Sequence, residues 1–266
     1  MSPILDEFLR DLERTERLVE TLDLLKIFAG ADDPDYVPIG DFFRQASEIH
    51  DKSKTSHADV VVLIGTLVLY LGGRFEFFIR AMFEDLCDQL VSKCEHYSDL
   101  PKEMRDSLII MTAEVMISPR KYGHAEGGVK SFVQTLANNL ADKEKLEAVN
   151  SKCLSITNEN MKAEVLGDLF KRIGAKDIWE HIGRQARILA LFETRDATQA
   201  TSKARTILDE FMRQRNQIAH PSATISWANP TQVKSYITFF RELCITLVEV
   251  SEIYKKPPPK PVVKVT

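Results

Sequence analysis

The segment RNQIAHP sets Arg215, Asn216 and His220 within six residues of one another and is closed by Pro221. Histidine titrates near neutral pH, so it can take a proton and give one back. Arginine is always charged, and its planar fork matches phosphate oxygens. Asparagine donates to an oxygen or fixes a neighbour's orientation. These are the parts needed to cut RNA without a metal: a 2′-hydroxyl is deprotonated and attacks the adjacent phosphorus, and a cation holds the charge that develops there. Arg213, two residues upstream, adds charge at the rim.

The elements that must hold these residues follow from spacing. Leu208, Phe211 and Arg215 lie on one helical stripe, and Met212, Asn216 and His220 on the next. Two apolar stripes thus turn polar at the same end. The residue before a proline is pushed out of the helical region, so the helix should stop near Ala219 and release His220 over its last turn. The plainer reading is a helix end whose basic residues complement the helix dipole.

The rest of the chain reads as helices. Leu5, Phe8, Leu9, Leu12, Val19, Leu22 and Leu25 mark one over residues 2–28. A shorter helix follows at 40–50, then a polar linker, DKSKTS. Residues 58–97 read as one long helix, bent at Gly72-Gly73, whose first half is apolar on all sides and should be central. Further helices are expected at 101–116, from about 129, through NENMKAEVLGDLFKRIG to Gly174, around Trp179, and over about 200–219. Asn229-Pro230 is an N-cap and first-turn proline opening a last helix to about 255. No alternating run of strand type is present. The expected class is all-α, a helical bundle with a helical insertion around 100–195. An N-terminal helical region at 1–54 precedes the main domain at 55–255. A disordered tail, KKPPPKPVVKVT, closes the chain.

Composition limits the alternatives. The 266 residues carry 35 Lys and Arg against 39 Asp and Glu, a net charge of −4, which argues against bulk coating of nucleic acid. Residues 184–215 nonetheless carry seven positive and four negative side chains, a local excess where an RNA-binding face is wanted. Cys87, Cys94, Cys153 and Cys244 have no metal-ligand spacing, so no metal or cofactor is expected and buried free thiols are. The N-terminus is acidic and amphipathic rather than a leader, and the most apolar run is shorter than a bilayer span. The expectation is a cytoplasmic protein with no membrane contact.

R-N-x-x-x-H just before the last long helix of an all-α domain resembles the signature of the HEPN superfamily. FEFFIRAMFEDL, LFKRIGAKDIWEHI and LDEFMRQRNQIAH resemble, in order and wording, the RiboL-PSP-type HEPN proteins over roughly residues 55–255. The resemblance implies that Arg215 is the phosphate-stabilising cation, Asn216 the polar residue beside it and His220 the acid/base. It also implies a homodimer with two motifs facing across one composite active site, an RNase leaving a 2′,3′-cyclic phosphate, and a role as toxin or antiviral defence effector, with an antitoxin or defence-system protein as partner. Relatives often carry glycine after the histidine, where this chain has Pro221. Related proteins place polar residues in the central helix, which makes Glu76 a supporting candidate.

The six-residue pattern recurs. Arg44 and His50, in RQASEIH, fit it too, without the flanking resemblance. Two function classes therefore stand: a metal-independent endoribonuclease, and a non-catalytic helical interaction protein in a defence or signalling system.

Overall fold

The computed structural model describes residues 2–32, 39–122, 126–220 and 227–255, with the backbone alone at Glu126 and Gly127. The 33–38 segment, residues 123–125, Pro221 and the C-terminal tail lie outside the described residues. Among those described there are eleven α-helices and no strand, as an all-α class requires. They are α1 (Pro3–Ala29), α2 (Asp41–Thr55), α3 (His57–Val91), α4 (Lys102–Ile117), α5 (Glu126–Ala141), α6 (Ser151–Leu154), α7 (Ala163–Lys171), α8 (Ile178–Gly183), α9 (Ala186–Leu191), α10 (Ala197–Ala219) and α11 (Pro230–Ser251).

Several boundaries moved for local reasons. The expected linker DKSKTS is mostly helix, because it holds no glycine or proline and Lys52 and Lys54 pair back to Glu48 and Asp51. α3 ends at Val91 rather than 97. Beyond it Asp99 accepts the His96 N–H (3.1 Å) and Asp142 accepts the Tyr97 N–H (2.8 Å), so side chains replace the helical acceptors. Residues 158–162 are not helical. Asn158 bonds to Glu114 and Tyr122, and the Met161 N–H points to Glu76. The α11 start is as expected: Asn229 Oδ1 accepts the Gln232 N–H at 2.8 Å. Gly174 ends its segment with φ of 86°, the left-handed region that favours glycine.

The chain divides into two compact units. The larger comprises residues 1–5, 76–208 and 242–266. Its core includes Phe78, Phe83, Leu166, Phe170, Ile182, Leu243 and Leu247. Arg172 donates to the Leu154 and Ile156 carbonyls, satisfying groups that the short α6 leaves open. The four cysteines are buried and free, and burial pushes the Cys153 thiol up to about 11.

The second unit, residues 6–75 and 209–241, carries the motif. Segments of α1, α3, α10 and α11 share one apolar core, so α1 is not a separate N-terminal appendage. An aromatic ladder crosses all four: Phe8 to Phe75 (6.3 Å between ring centres), Phe75 to Phe240 (4.6 Å), Phe240 to Phe211 (4.7 Å) and Phe211 to Tyr236 (5.0 Å). Asp11 of α1, 4% exposed, accepts from Tyr70 (2.7 Å), Arg14 (2.9 Å) and Arg74. Arg74 also reaches Glu7. Arg74 is thus one half of a mostly buried ion pair between α3 and α1. The first half of α3 is not buried on every side as its composition led us to expect: Val62 and Leu63 are half exposed, while Val60, Ile64, Val68 and Leu71 fill the core. By length and composition α3 is apolar enough to cross a membrane, but its inward face is used for this packing.

Phe240 sits at the middle of the ladder with no exposed surface. Phe240→Ala should cost about 3–5 kcal/mol, read as a lower urea midpoint with an unchanged slope.

Candidate active site

α10 ends at Ala219, and His220 is the first residue beyond it, as its place before a proline requires. Its N–H still bonds to the Asn216 carbonyl at 2.9 Å, so its backbone closes one last helical turn while its side chain is exposed. Arg215 and Asn216 are half-buried one turn earlier. Arg215 Nη1 donates to Asn216 Oδ1 at 3.2 Å. The asparagine therefore braces the guanidinium of its own neighbour. The helix thus presents a braced cation and, one turn on, an exposed imidazole. Arg213 lies on the exposed side and donates to Gln217 at 3.5 Å.

What brings this end of α10 close to α3 is two glycines. A Cβ added at Gly72 would lie 3.1 Å from Arg215 Cγ and 3.5 Å from Phe211 Cε1. A Cβ added at Gly65 would meet the Trp227 ring at 2.4 Å and Ile218 at 3.5 Å. Moving two turns down α10, from Phe211 to Ile218, means moving two turns back along α3, from Gly72 to Gly65. The helices run antiparallel and touch where α3 has no side chain. α3 is one unbroken helix through Gly72, and this residue serves close approach to α10.

Trp227 was missed from the sequence. It is the first described residue after 221–226, 36% exposed, and its ring covers Gly65 beside Ile218. It seats the start of the 227–255 segment on α3. The signal available was Gly65 itself, a small residue inside a run of bulky ones. On α11, Gln232 accepts from the buried Gln214 (3.5 Å) and donates to Tyr236 (3.2 Å), a polar link across the α10–α11 seam.

The other candidates fall elsewhere. Glu76 belongs to the larger unit, where its carboxylate faces the Met161 N–H at 3.4 Å. The Arg44/His50 match is structural. His50 is buried, bonds to the Ala31 carbonyl at 3.1 Å and packs on Phe28, and Arg44 pairs with Asp41. The positive window at 184–215 is offset by acids from outside it. Arg187 bridges Glu242 and Glu249, and Arg184 pairs with Glu180. No cluster of metal-ligating side chains occurs among the described residues.

A family model described as RiboL-PSP-HEPN matches residues 41–252, most of the chain. The chain belongs to this family. Comparisons with curated proteins and with solved structures gave no match. The matched HEPN region begins at α2, so α1 supplies core and an ion pair to the motif-bearing unit from outside it.

Gly65→Ala must displace the Trp227 ring. Tryptophan emission should move to longer wavelength in this variant and stay unchanged in Gly73→Ala, where an added Cβ meets nothing within 4 Å.

Proposed function

We propose that this HEPN protein is a metal-independent endoribonuclease that works as a homodimer with a composite active site. The observation that carries the reading is the braced Arg215 one turn from an exposed His220, at the end of a helix seated on Gly72. His220 takes the proton of the 2′-hydroxyl, or returns one to the leaving 5′-oxygen. Arg215 holds the charge on the phosphoryl oxygens, and Asn216 fixes its fork. The attack forms the O2′–phosphorus bond as the phosphorus–O5′ bond breaks, leaving a 2′,3′-cyclic phosphate and a 5′-hydroxyl. A second copy supplies the other half of the acid/base pair. The family supports an effector role, as toxin or antiviral defence nuclease.

In EDTA the purified protein should cut RNA. His220→Ala and Arg215→Ala should each lower the rate at least about a hundredfold, with circular dichroism unchanged. Cleavage by His220→Ala at the parent rate contradicts the assignment and favours a non-catalytic interaction protein.

Gly72→Ala shifts the Arg215 stem by a few tenths of an ångström or more. It should lower cleavage roughly tenfold to a hundredfold. Gly73→Ala, one residue on, should keep full activity and gain up to about 1 kcal/mol from helix propensity.

A further inference from the structure

Attack by a 2′-hydroxyl sets a demand on the RNA. The 2′-oxygen must approach in line with the phosphorus–O5′ bond, and a strand stacked as an A-form helix does not hold these atoms in line. The base at the cut has to leave its stack. An unstacked base of a single strand is held on the face of an aromatic ring. Among the described residues, the phenylalanine and tryptophan rings exposed in the motif-bearing unit are Phe28, Phe42, Phe43 and Trp227. Phe28 packs on His50, and Phe42 and Phe43 pack on each other. Trp227 is the ring beside the motif.

The fold uses the chain's two tryptophans differently. Trp179 is 8% exposed, and its indole N–H donates to the Ala163 carbonyl at 2.7 Å. Trp227 is 36% exposed, with Cε3 and Cζ3 over Gly65. Ile218 reaches the same point on α3. Ile218 lies between Arg215 and His220 in the last turn of α10, so the ring stands beside the turn that leads into the imidazole. The seat of Arg215 at Gly72 and the seat of the ring at Gly65 are seven residues apart, about 10 Å along α3. With a phosphate on the arginine fork, the length of the arginine and one nucleotide cover that span. A cation for the phosphate, an imidazole for the 2′-hydroxyl and a flat apolar ring for the base together make a nucleotide subsite.

We propose that Trp227 stacks the splayed nucleobase of a single-stranded RNA that lies across the motif. The proposal rests on the nuclease reading for the place of the phosphate and adds the substrate class, a single strand whose bases are free to leave their neighbours. Every base has a π-face, so the ring positions the strand without reading its sequence. A duplex keeps its bases stacked and does not engage the ring.

A single-stranded 2′-O-methyl oligoribonucleotide, which cannot be cut by its own 2′-oxygen, tests it on the full chain. Binding should quench the tryptophan emission of the wild type. A sugar–phosphate strand of the same length without bases should not. This reading needs no variant. Trp227→Leu keeps an apolar side chain over Gly65 and has no π-face. It should bind the strand at least about tenfold more weakly, read by the anisotropy of an end-labelled copy. Trp227→Phe keeps a face and should bind within about threefold of wild type. Both variants retain only the buried Trp179, so the quench should vanish in both. Emission that does not change when the strand binds overturns the proposal, and so does a Trp227→Leu variant that binds as tightly as wild type. Cleavage of unmodified RNA in either case leaves the nuclease reading standing. Quenching by a strand whose unmodified form is never cut upholds the stacking site and fails the nuclease reading alone.

Discussion

Arg215 lies close on α3 at the one-residue gap left by Gly72, which has no side chain. The contact is close: a single methyl group at Gly72 would stand 3.1 Å from the arginine's Cγ. This approach sets how near the end of α10 lies to α3. Two turns away Gly65 repeats the device, and there the space is taken by the Trp227 ring beside Ile218. Between them the two glycines set the height of the terminal turn and the seat of Trp227 on α3. Asn216 holds the Arg215 fork, and His220 lies outside the helix with its backbone N–H bonded to the Asn216 carbonyl.

Holding α3 and α10 this close needs a core that does not yield. The ladder from Phe8 through Phe75, Phe240 and Phe211 to Tyr236 supplies it, with one member or more from each of four helices. α1 adds the buried Asp11, whose carboxylate is shared by Tyr70, Arg14 and Arg74. A buried carboxylate costs a great deal unless its oxygens are satisfied, so this set fixes α1 in a single register on α3. Burial and the bond to Asp11 raise the Tyr70 hydroxyl's pKa, so it stays a donor further into alkaline pH. The segment that precedes the family match is in this way part of the scaffold under the motif.

Features set by local chemistry were legible in the sequence. The end of α10 at Ala219, the Asn229 cap and the left-handed Gly174 each follow from one or two neighbouring residues. Features set by distant partners were not. The role of Gly72 as a contact point was hidden because its partner, Arg215, is far away in the chain. The Arg44/His50 pair matched the motif, and only burial against Ala31 and Phe28 shows it as structure. The charge excess at 184–215 looked like a binding face because Glu242 and Glu249, which bridge Arg187, lie outside the window counted.

The central claim is that His220 and Arg215 drive attack by the substrate's own 2′-hydroxyl. Its most direct test is an oligoribonucleotide carrying one 2′-deoxyribose at the cleaved position, with the product ends of the unmodified strand read by mass spectrometry and phosphorus NMR. The account predicts a 2′,3′-cyclic phosphate and a 5′-hydroxyl from the unmodified strand, and no cut at the deoxy position. Cleavage at the deoxy position, or a 5′-phosphate product, would contradict it.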